Sequence, residues 1–264
     1  MRAKFLKELA SLGLPLGPGP EAVVTEADLA ALPESAQRYL RFMSVVGRPR
    51  DWSLRFGWVG RFRPKLDGGW MNCEAWQYNT SLDVARVFHI RIRFGSLVPV
   101  LARDTYVRGR GRMLIRALDL FTVEDATGPE LDIGELVTYL NDAVLLAPSM
   151  LLGPATTWSP VDESSFDVAV TDRGRTVTGR VFLDERGAPR DFSTTDRFCK
   201  DPDDPTRGWV RTQWTTPVEG WEMVNGRPLP TRGQAVWHLP EGPFPYADFR
   251  IASGTLAYNV RPGV

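Results

Sequence analysis

The chain has 264 residues, 43% of them hydrophobic, and a chain of this length can bury roughly three quarters of its unfolded surface around one core. Its 32 basic and 32 acidic side chains give a formal net charge of zero, so no charge excess favours nucleic acid or an anionic membrane as a partner. The two cysteines, Cys73 and Cys199, are too few for a disulfide framework, and two histidines cannot complete a zinc site by themselves. We therefore expect no nucleic-acid partner and no metal.

Residues 1–24 are predicted to be an N-terminal segment and linker, followed by a single β-rich ligand-pocket domain over residues 25–264. Lys7 and Glu8 interrupt the apolar positions near the N-terminus, which argues against a secretion signal. Elsewhere, charge or proline interrupts each apolar run before it reaches the roughly 18 residues that a membrane span requires. The expected location is the cytoplasm, without membrane contact.

Helices are predicted at three places. Thr25 and Asp28 have the spacing of a capping box at the start of a short helix. A second helix follows from Pro33, with apolar side chains at helical spacing. Residues 131–146 carry a long apolar stripe, and Asp132 is the expected cap of that helix.

From Trp52 onward apolar and polar side chains alternate, which is the period of a half-buried strand. In the next strand, 71–79, one face carries Asn72, Trp76 and Tyr78, and the other face carries Gln77. Further strands are predicted at 85–94, 102–107, 112–120, 166–171, 176–183, 209–216, 233–239 and 249–259, with hairpin turns at 109–111, 172–174 and 225–226. These elements predict a mainly β (α+β) fold: a single strongly curved antiparallel sheet or open barrel of about ten strands, with two or three helices over its mouth and a cavity inside.

The sequence lacks the motifs of the common catalytic classes. No serine stands in the Gly-x-Ser-x-Gly frame of a hydrolase, and Gly109 and Gly111 lack the third glycine of a dinucleotide fingerprint. No lysine follows a glycine-rich loop as phosphate binding would require. Glu130, Asp132 and Glu135 are interpreted as charges suited to the start of a helix rather than as metal ligands. No cofactor is predicted.

Three polar side chains each have two interpretations. His89 and His238 are interpreted as structural, with general-base catalysis as the alternative. Asp104 shares a strand face with Tyr106, and a structural ion pair to an arginine is favoured over a hydrogen-bonded network in the interior. A hydrolase or dehydratase that uses Asp104 with either histidine is the least favoured function.

Aromatic side chains are abundant, with nine tryptophans, thirteen phenylalanines and six tyrosines. Tryptophan combines a large flat surface with one polar group, which suits the wall of a pocket for an extended apolar or polyunsaturated molecule. Filling of an ordinary core explains the same composition equally well. If these side chains line a pocket, the expected partner is a hydrophobic small-molecule substrate.

The chain contains the motifs LPESAQRYLRFMSVVGRPR, GRF, GGWMNCEAWQYN, DTYVRGRGRM, GPELDIGELVTYLND, PTRGQAVWHLPEGPFPYADFRI and LAYN. With these motifs it resembles a widespread bacterial family of otherwise uncharacterised proteins, and the resemblance covers nearly the whole chain from about Leu32. Some members that look like this chain belong to actinobacterial polyketide clusters and act as pericyclases, catalysing Diels-Alder and higher-order cycloadditions of a macrolactone polyene without a cofactor. The resemblance implies the same task here, in which a pocket folds the polyene so that its reacting carbons approach each other.

This hypothesis gives roles to two groups of side chains. Contact with the substrate through shape and stacking is assigned to Trp70, Met71, Trp76, Tyr78, Tyr106, Tyr139, Trp214 and Trp237. The catalytic candidates are Asn72, His89 and Asp104, which would hydrogen-bond a substrate carbonyl or hydroxyl and polarise it.

A second function stays open, because a curved sheet with helices over its mouth also resembles lipoprotein carriers and other lipid-binding half-barrels. The protein would then be a non-catalytic carrier of a lipid or polyketide-like ligand. A carrier returns its ligand unchanged, whereas a cyclase returns an isomer of equal mass. A homodimer is compatible with either function.

Overall fold

The alternating segment that begins at Trp52 forms the centre of one large antiparallel sheet. In the computed structural model, which describes residues 1–18, 22–94, 98–200 and 208–264, β1 (Ser53–Phe62) pairs with β2 (Met71–Thr80) over its full length. The first half of the sheet continues through β3 (Ala85–Phe94), β4 (Val98–Val107), β5 (Arg110–Ala117) and β6 (Phe121–Thr127). Each of these strands pairs with the strand before it.

The second half of the sheet joins the first where β16 pairs with β1. Its strands are β7 (Thr156–Asp162), β8 (Ser165–Asp172), β9 (Arg175–Leu183), β10 (Pro189–Thr194), β13 (Trp214–Thr215), β14 (Val218–Val224), β15 (Arg227–Leu239), β16 (Gly242–Ile251) and β17 (Ala257–Tyr258). The order along the sheet is β6-β5-β4-β3-β2-β1-β16-β15-β13-β10-β9-β8-β7, with β14 beside β15 and β17 beside β1. Two further strands, β11 (Phe198–Lys200) and β12 (Trp209–Arg211), form a separate pair.

The predicted mainly β fold with one curved antiparallel sheet is confirmed. Over the described residues this sheet has 15 strands, against the roughly ten predicted, and its path ends at β6 and β7 without closing into a barrel. The difference arises because short strands such as β13 and β17, of two residues each, are too short to show a period of their own.

The three predicted hairpin turns are present. Residues 108–109 have φ values of 51° and 77°, residues 173–174 have 48° and 78°, and residues 225–226 have 51° and 73°. Two consecutive left-handed residues match the twist of the flanking strands, and glycine at the second position accepts this conformation without steric cost. The first turn therefore lies one residue earlier than its predicted place.

Two predicted strands are divided by turns, and a third, 209–216, is divided into β12 and β13, which pair in different sheets. The segment 112–120 ends its pairing at Ala117, and Leu118 and Asp119 adopt positive φ before β6 begins. The segment 249–259 contains the end of β16, a turn, and β17. A run of strand-forming residues does not reveal where a tight turn interrupts the pairing.

Two short helices follow the predicted pattern. The capping box at Thr25 is confirmed, because the Asp28 carboxylate accepts the Thr25 backbone N–H at 2.7 Å, and α2 spans Glu26–Leu29. Helix α3 (Glu34–Phe42) begins directly after Pro33. None of the helices in the described ranges has the length and apolar character needed to cross a membrane.

Helix α1 (Arg2–Ser11) lies on the outer face of the sheet. It buries Phe5 and Leu9 completely, in a cluster with Tyr78 of β2 and Val87 of β3. The two strands are consequently covered on both faces, because their other side chains point toward the interior.

Helix α4 (Pro129–Leu146) crosses the inner face and contacts strands from both halves of the sheet. The prediction that Asp132 caps this helix is wrong, because Gly128 occupies the capping position. The Asp132 carboxylate instead accepts the backbone N–H of Gly111 at 2.7 Å and pairs with Arg175 at 3.0 Å. Asp132 thus attaches the helix to β5 and β9.

Candidate functional site

The inner face of the sheet and helix α4 enclose a cavity of about 500 Å³. Strand alternation determines its lining, because every second side chain of β3, from Arg86 to Ile92, points to this face. Most other lining side chains are apolar and come from β1, β2, β4, β5, β15, β16 and α4. The volume lies within the range of about 300–1,000 Å³ that is typical of small-molecule pockets.

The two ends of the cavity differ in character. At the end near the hairpin tips, Phe62, Met71 and Val123 line it, and Val123 is 65% exposed. Toward the other end of the same strands, the lining side chains become polar and include Gln77 and Arg86. A molecule inside the cavity would therefore meet apolar walls along most of its length and polar groups at the closed end.

The closed end is built on a buried ionic network around Arg86. Its guanidinium donates to Glu135 and Asp142, both on α4, at 2.8 Å each. Asp142 also accepts hydrogen bonds from Gln77 and from Asn79, the latter at 3.1 Å. Burial lowers the pKa of Arg86, but the two carboxylates outweigh it and leave that pKa above its ordinary value. Arg86 is therefore a fixed positive charge at the closed end of the cavity.

Asp104 of β4 faces the same end of the cavity and stands opposite Phe88 in the β3–β4 ladder. Its Oδ1 atom is buried and has no hydrogen-bond partner among the described residues. Burial, and then the charge of Glu135, raises the pKa of Asp104 to about 7 against the opposing effects of Arg86 and Arg197. This carboxyl can hold a proton near neutral pH and act as a hydrogen-bond donor.

Arg197 brings a second polar group to the cavity wall. Its Nη1 donates to the Thr138 hydroxyl of α4 at 2.7 Å, and its guanidinium carbon lies 4.3 Å from the centre of the Trp214 ring. The Trp214 indole N–H donates to the Tyr246 hydroxyl at 3.1 Å. In the described part of the chain, the buried Arg197 Nε has no hydrogen-bond partner.

Three of the side chains predicted from the sequence line this cavity. Met71 lies at the open end, Asp104 at the closed end, and Trp214 on β13 in the second half of the sheet. Trp237 packs behind the wall, with its ring centre 6.4 Å from that of Trp214 and a stacked ring contact to Tyr246 at 5.9 Å.

Tyr106 and Tyr139 belong to the main hydrophobic core and lie outside the cavity lining. Tyr106 is fully buried, and its hydroxyl donates to Asp172 at 2.7 Å. Tyr106 shares the inner face of β4 with Asp104, as its sequence spacing predicts, but it lies deeper along the strand.

Trp76, Tyr78 and His89 point to the opposite face of the sheet, where α1 covers them. The Phe5 ring of α1 lies 6.3 Å from Trp76 and 5.4 Å from His89, measured between ring centres. His89 Nε2 lies 2.9 Å from the Glu8 carboxylate. These three side chains lie outside the cavity because β2 and β3 alternate, so their neighbours in sequence point inward.

Trp70 and Asn72 also lie away from the cavity. Trp70 precedes β2 and is covered by the guanidinium groups of Arg61 and Arg63, at 4.9 and 5.2 Å from its ring centre. Asn72 is exposed on the outer face and borders a shallow groove there.

Sequence reasoning missed Gln77, Arg86, Asp142 and Arg197, which form most of the polar end. One signal was available, because Asp142 interrupts the apolar run of α4 and a charged residue at a buried helical position needs a partner. The partner itself was not visible, since Arg86 and Asp142 are 56 residues apart.

A protein-family model described as "Family of unknown function (DUF6544)" matches residues 22–249 of the sequence. The chain belongs to that family. No curated protein matches it. Among solved structures, it is similar to a DUF1329 family protein from Desulfovibrio piger, with 12% identity, a TM-score of 0.43, and coverage of 86% of this chain and 92% of that chain. It is also similar to a LolA superfamily protein from Nitrosomonas europaea, with 12% identity, a TM-score of 0.37, and coverage of 86% and 93%.

Proposed function

We propose that this member of a family of unknown function binds an elongated, mainly apolar small molecule between α4 and the inner face of the sheet. The observation that carries the proposal is the lining of the cavity, which is apolar along most of its length and polar at one end. Small-molecule sites have this composition, because apolar walls supply affinity and a few polar groups fix orientation.

The driving force follows from the amount of apolar surface that such a ligand would bury. Each methylene group transferred from water to the cavity contributes about 0.8 kcal/mol. Burial of an alkyl or polyene chain of about ten carbons therefore contributes several kcal/mol to binding. This contribution offsets part or all of the free-energy cost of immobilising the ligand. The aromatic side chains Trp58, Trp214 and Phe249 add flat surfaces suited to unsaturated carbon chains.

Filling the cavity tests this proposal. Ala102 lies on β4 between Val100 and Asp104 and faces inward, whereas Leu101 faces outward on the same strand. We expect Ala102→Phe to weaken binding of the neutral fluorescent probe N-phenyl-1-naphthylamine by about tenfold or more, because its ring occupies ligand space. Leu101→Phe adds an aromatic ring to the outer face and should leave the affinity unchanged.

The measurement is a fluorescence titration of each variant, with near-ultraviolet circular dichroism to verify native packing. Equal probe affinity for Ala102→Phe and the unsubstituted protein, with both natively folded, would mean that the probe binds elsewhere and that the cavity is not the binding site.

A second candidate function is catalysis of an intramolecular cycloaddition in the bound ligand. The observation that favours it is Asp104, whose carboxyl faces the cavity opposite Phe88 in the β3–β4 ladder and has a pKa of about 7. A protonated carboxyl can donate to a carbonyl conjugated with the reacting double bonds and stabilise the charge that develops there. Holding a polyene in a folded conformation supplies further acceleration, because it removes the entropy cost of bringing the reacting carbons together.

Recovery of the native ligand separates the two functions. The protein is purified from its natural host, its bound molecules are extracted, and each is incubated with catalytic amounts of fresh protein. A binding protein should return every molecule with unchanged mass and retention time. A cyclase should convert a precursor into an isomer of equal mass and different retention time, with many turnovers per protein molecule. A product lighter by one water would instead indicate a dehydratase.

A further inference from the structure

We infer that the closed end of the cavity is a subsite for an uncharged carbonyl oxygen of the ligand, held between the Asp104 carboxyl and the Arg197 guanidinium. This inference rests on the proposed binding function and specifies the chemical class of the ligand. Both side chains line the cavity, and each keeps one buried polar atom, Asp104 Oδ1 and Arg197 Nε, without a hydrogen-bond partner among the described residues.

Two neighbouring polar side chains at this end, Asp142 and Asn141, are already engaged by partners within the protein. Arg86, Gln77 and Asn79 all donate to one oxygen of Asp142, Oδ2, which ties this carboxylate to the network around Arg86. The Asn141 side-chain carbonyl accepts the hydroxyl of Thr216, a neighbouring lining residue, at 2.6 Å. Among the described residues, ten buried side-chain atoms lack a hydrogen-bond partner, and only Asp104 Oδ1 and Arg197 Nε belong to side chains that line the cavity. A ligand bound there could supply the missing partner of both atoms.

The charge at this end selects an uncharged group. Arg86 from β3 and Arg197 from the segment after β10 provide two positive charges, while Asp104 from β4 and Glu135 and Asp142 from α4 provide three carboxyls. With Asp104 protonated the charges of this set balance. A ligand carboxylate would add an uncompensated negative charge in a medium of low dielectric constant.

A ligand ammonium is disfavoured for a different reason. It would meet the guanidinium of Arg197 on the cavity wall, and it has no acceptor lone pair for either the guanidinium or a protonated carboxyl. A carbonyl oxygen has two lone pairs and can accept one hydrogen bond from each of these donors without adding charge. A ketone, ester or lactone is therefore the class of head group that fits.

Four ligands with the same ten-carbon chain test the inference: decane, 2-decanone, decanoic acid and decylamine. Each competes with N-phenyl-1-naphthylamine for the unsubstituted protein at pH 6. We expect decane to compete through apolar contacts alone, and 2-decanone to be preferred over both the acid and the amine. Asp104→Val should weaken 2-decanone by about tenfold while leaving decane unchanged, because it removes the donor and keeps the apolar contacts. Asp104→Asn keeps an N–H donor and should retain 2-decanone within about threefold.

The pH dependence gives a readout that a purely structural role of Asp104 would not change. Above about pH 7 the Asp104 carboxyl ionises and ceases to donate, so the preference for 2-decanone over decane should fall between pH 6 and pH 8.5. In Asp104→Asn the preference should be independent of pH over this range.

Three results would overturn the inference. If decane binds but decanoic acid or decylamine is preferred over 2-decanone, or if Asp104→Val weakens decane and 2-decanone equally, the carbonyl subsite is wrong and the apolar binding function stands. If none of the four displaces the probe and Ala102→Phe binds the probe normally, the cavity is not a ligand site and both proposals fail.

Discussion

Replacing Asp142 with alanine is expected to lower the free energy of unfolding by about 3–5 kcal/mol, because it leaves the buried Arg86 without one of its two carboxylate partners. The side chains of Arg86 and Asp142 are only 6% and 7% exposed, so water cannot substitute for the lost partner. Gln77 and Asn79 lose an acceptor at the same time. Unfolding in urea, monitored by far-ultraviolet circular dichroism, measures the loss.

A matched control comes from the β8–β9 hairpin, where Asp167 and Arg180 form a bidentate pair at 2.8 and 3.0 Å. Their side chains are 29% and 44% exposed, so Asp167→Ala should cost less than about 1 kcal/mol. Similar small losses of unfolding free energy for both variants would show that Arg86 can reach solvent or another carboxylate. The buried ionic network at the closed end of the cavity would then not be rigid.

The second large effect is expected at Gly111, where β5 packs against the start of α4. A Cβ atom at this position would lie 2.2 Å from the Leu131 carbonyl oxygen and 2.3 Å from its carbonyl carbon. Both are backbone atoms near the start of α4, so the clash cannot be relieved by a side-chain rotation. Gly111→Ala should cost about 3 kcal/mol in unfolding free energy. It should also weaken probe binding, because α4 forms one wall of the cavity.

Gly153→Ala is the control for this substitution. Gly153 has no atom within 4 Å of an added Cβ and does not adopt a positive φ, so the change in stability should stay within about 0.5 kcal/mol of zero. An equal loss of unfolding free energy for Gly111→Ala and Gly153→Ala would indicate a general effect of glycine replacement rather than the contact between β5 and α4.

The two proposed functions share the same cavity and differ in what Asp104 does there. In a binding protein the carboxyl only holds the ligand carbonyl, whereas in a cyclase the same hydrogen bond strengthens as charge develops on that oxygen. The Asp104→Asn variant therefore links the experiments. It should keep most of the affinity, and any effect of its weaker donor on turnover would separate transition-state stabilisation from binding.

Local signals in the sequence were sufficient for much of the fold. The alternation from Trp52, the turns at 173–174 and 225–226, and the capping box at Thr25 each depend on residues within a few positions of one another. For that reason they predicted strands, hairpins and a helix start that the structure contains. The apolar stripe of α4 was recognised in the same way, and only its first residues were assigned differently.

The sequence could not determine which face of each strand lines the cavity. On β2, alternation separates Trp76 and Tyr78 from Met71 and Gln77, but both sets are largely buried because α1 covers the outer face and α4 the inner one. When both faces of a strand are covered, the presence of an aromatic residue does not indicate whether its side chain faces the cavity or the outer helix. The tertiary packing of α1 decided this, and it placed Met71 and Gln77 in the cavity.

The polar end of the cavity was decided by tertiary structure alone. Arg86, Asp104, Asp142 and Arg197 come from two strands, a helix and a loop, and none has a partner close in sequence that would identify its role. Their shared charge balance and the raised pKa of Asp104 exist only when the sheet curves around α4 and brings the four side chains together at one end of the cavity. The sequence contains the charged side chains, but only the folded structure brings them together in a candidate site. Electrostatic interactions become strong and selective in a buried environment, where the dielectric constant is low.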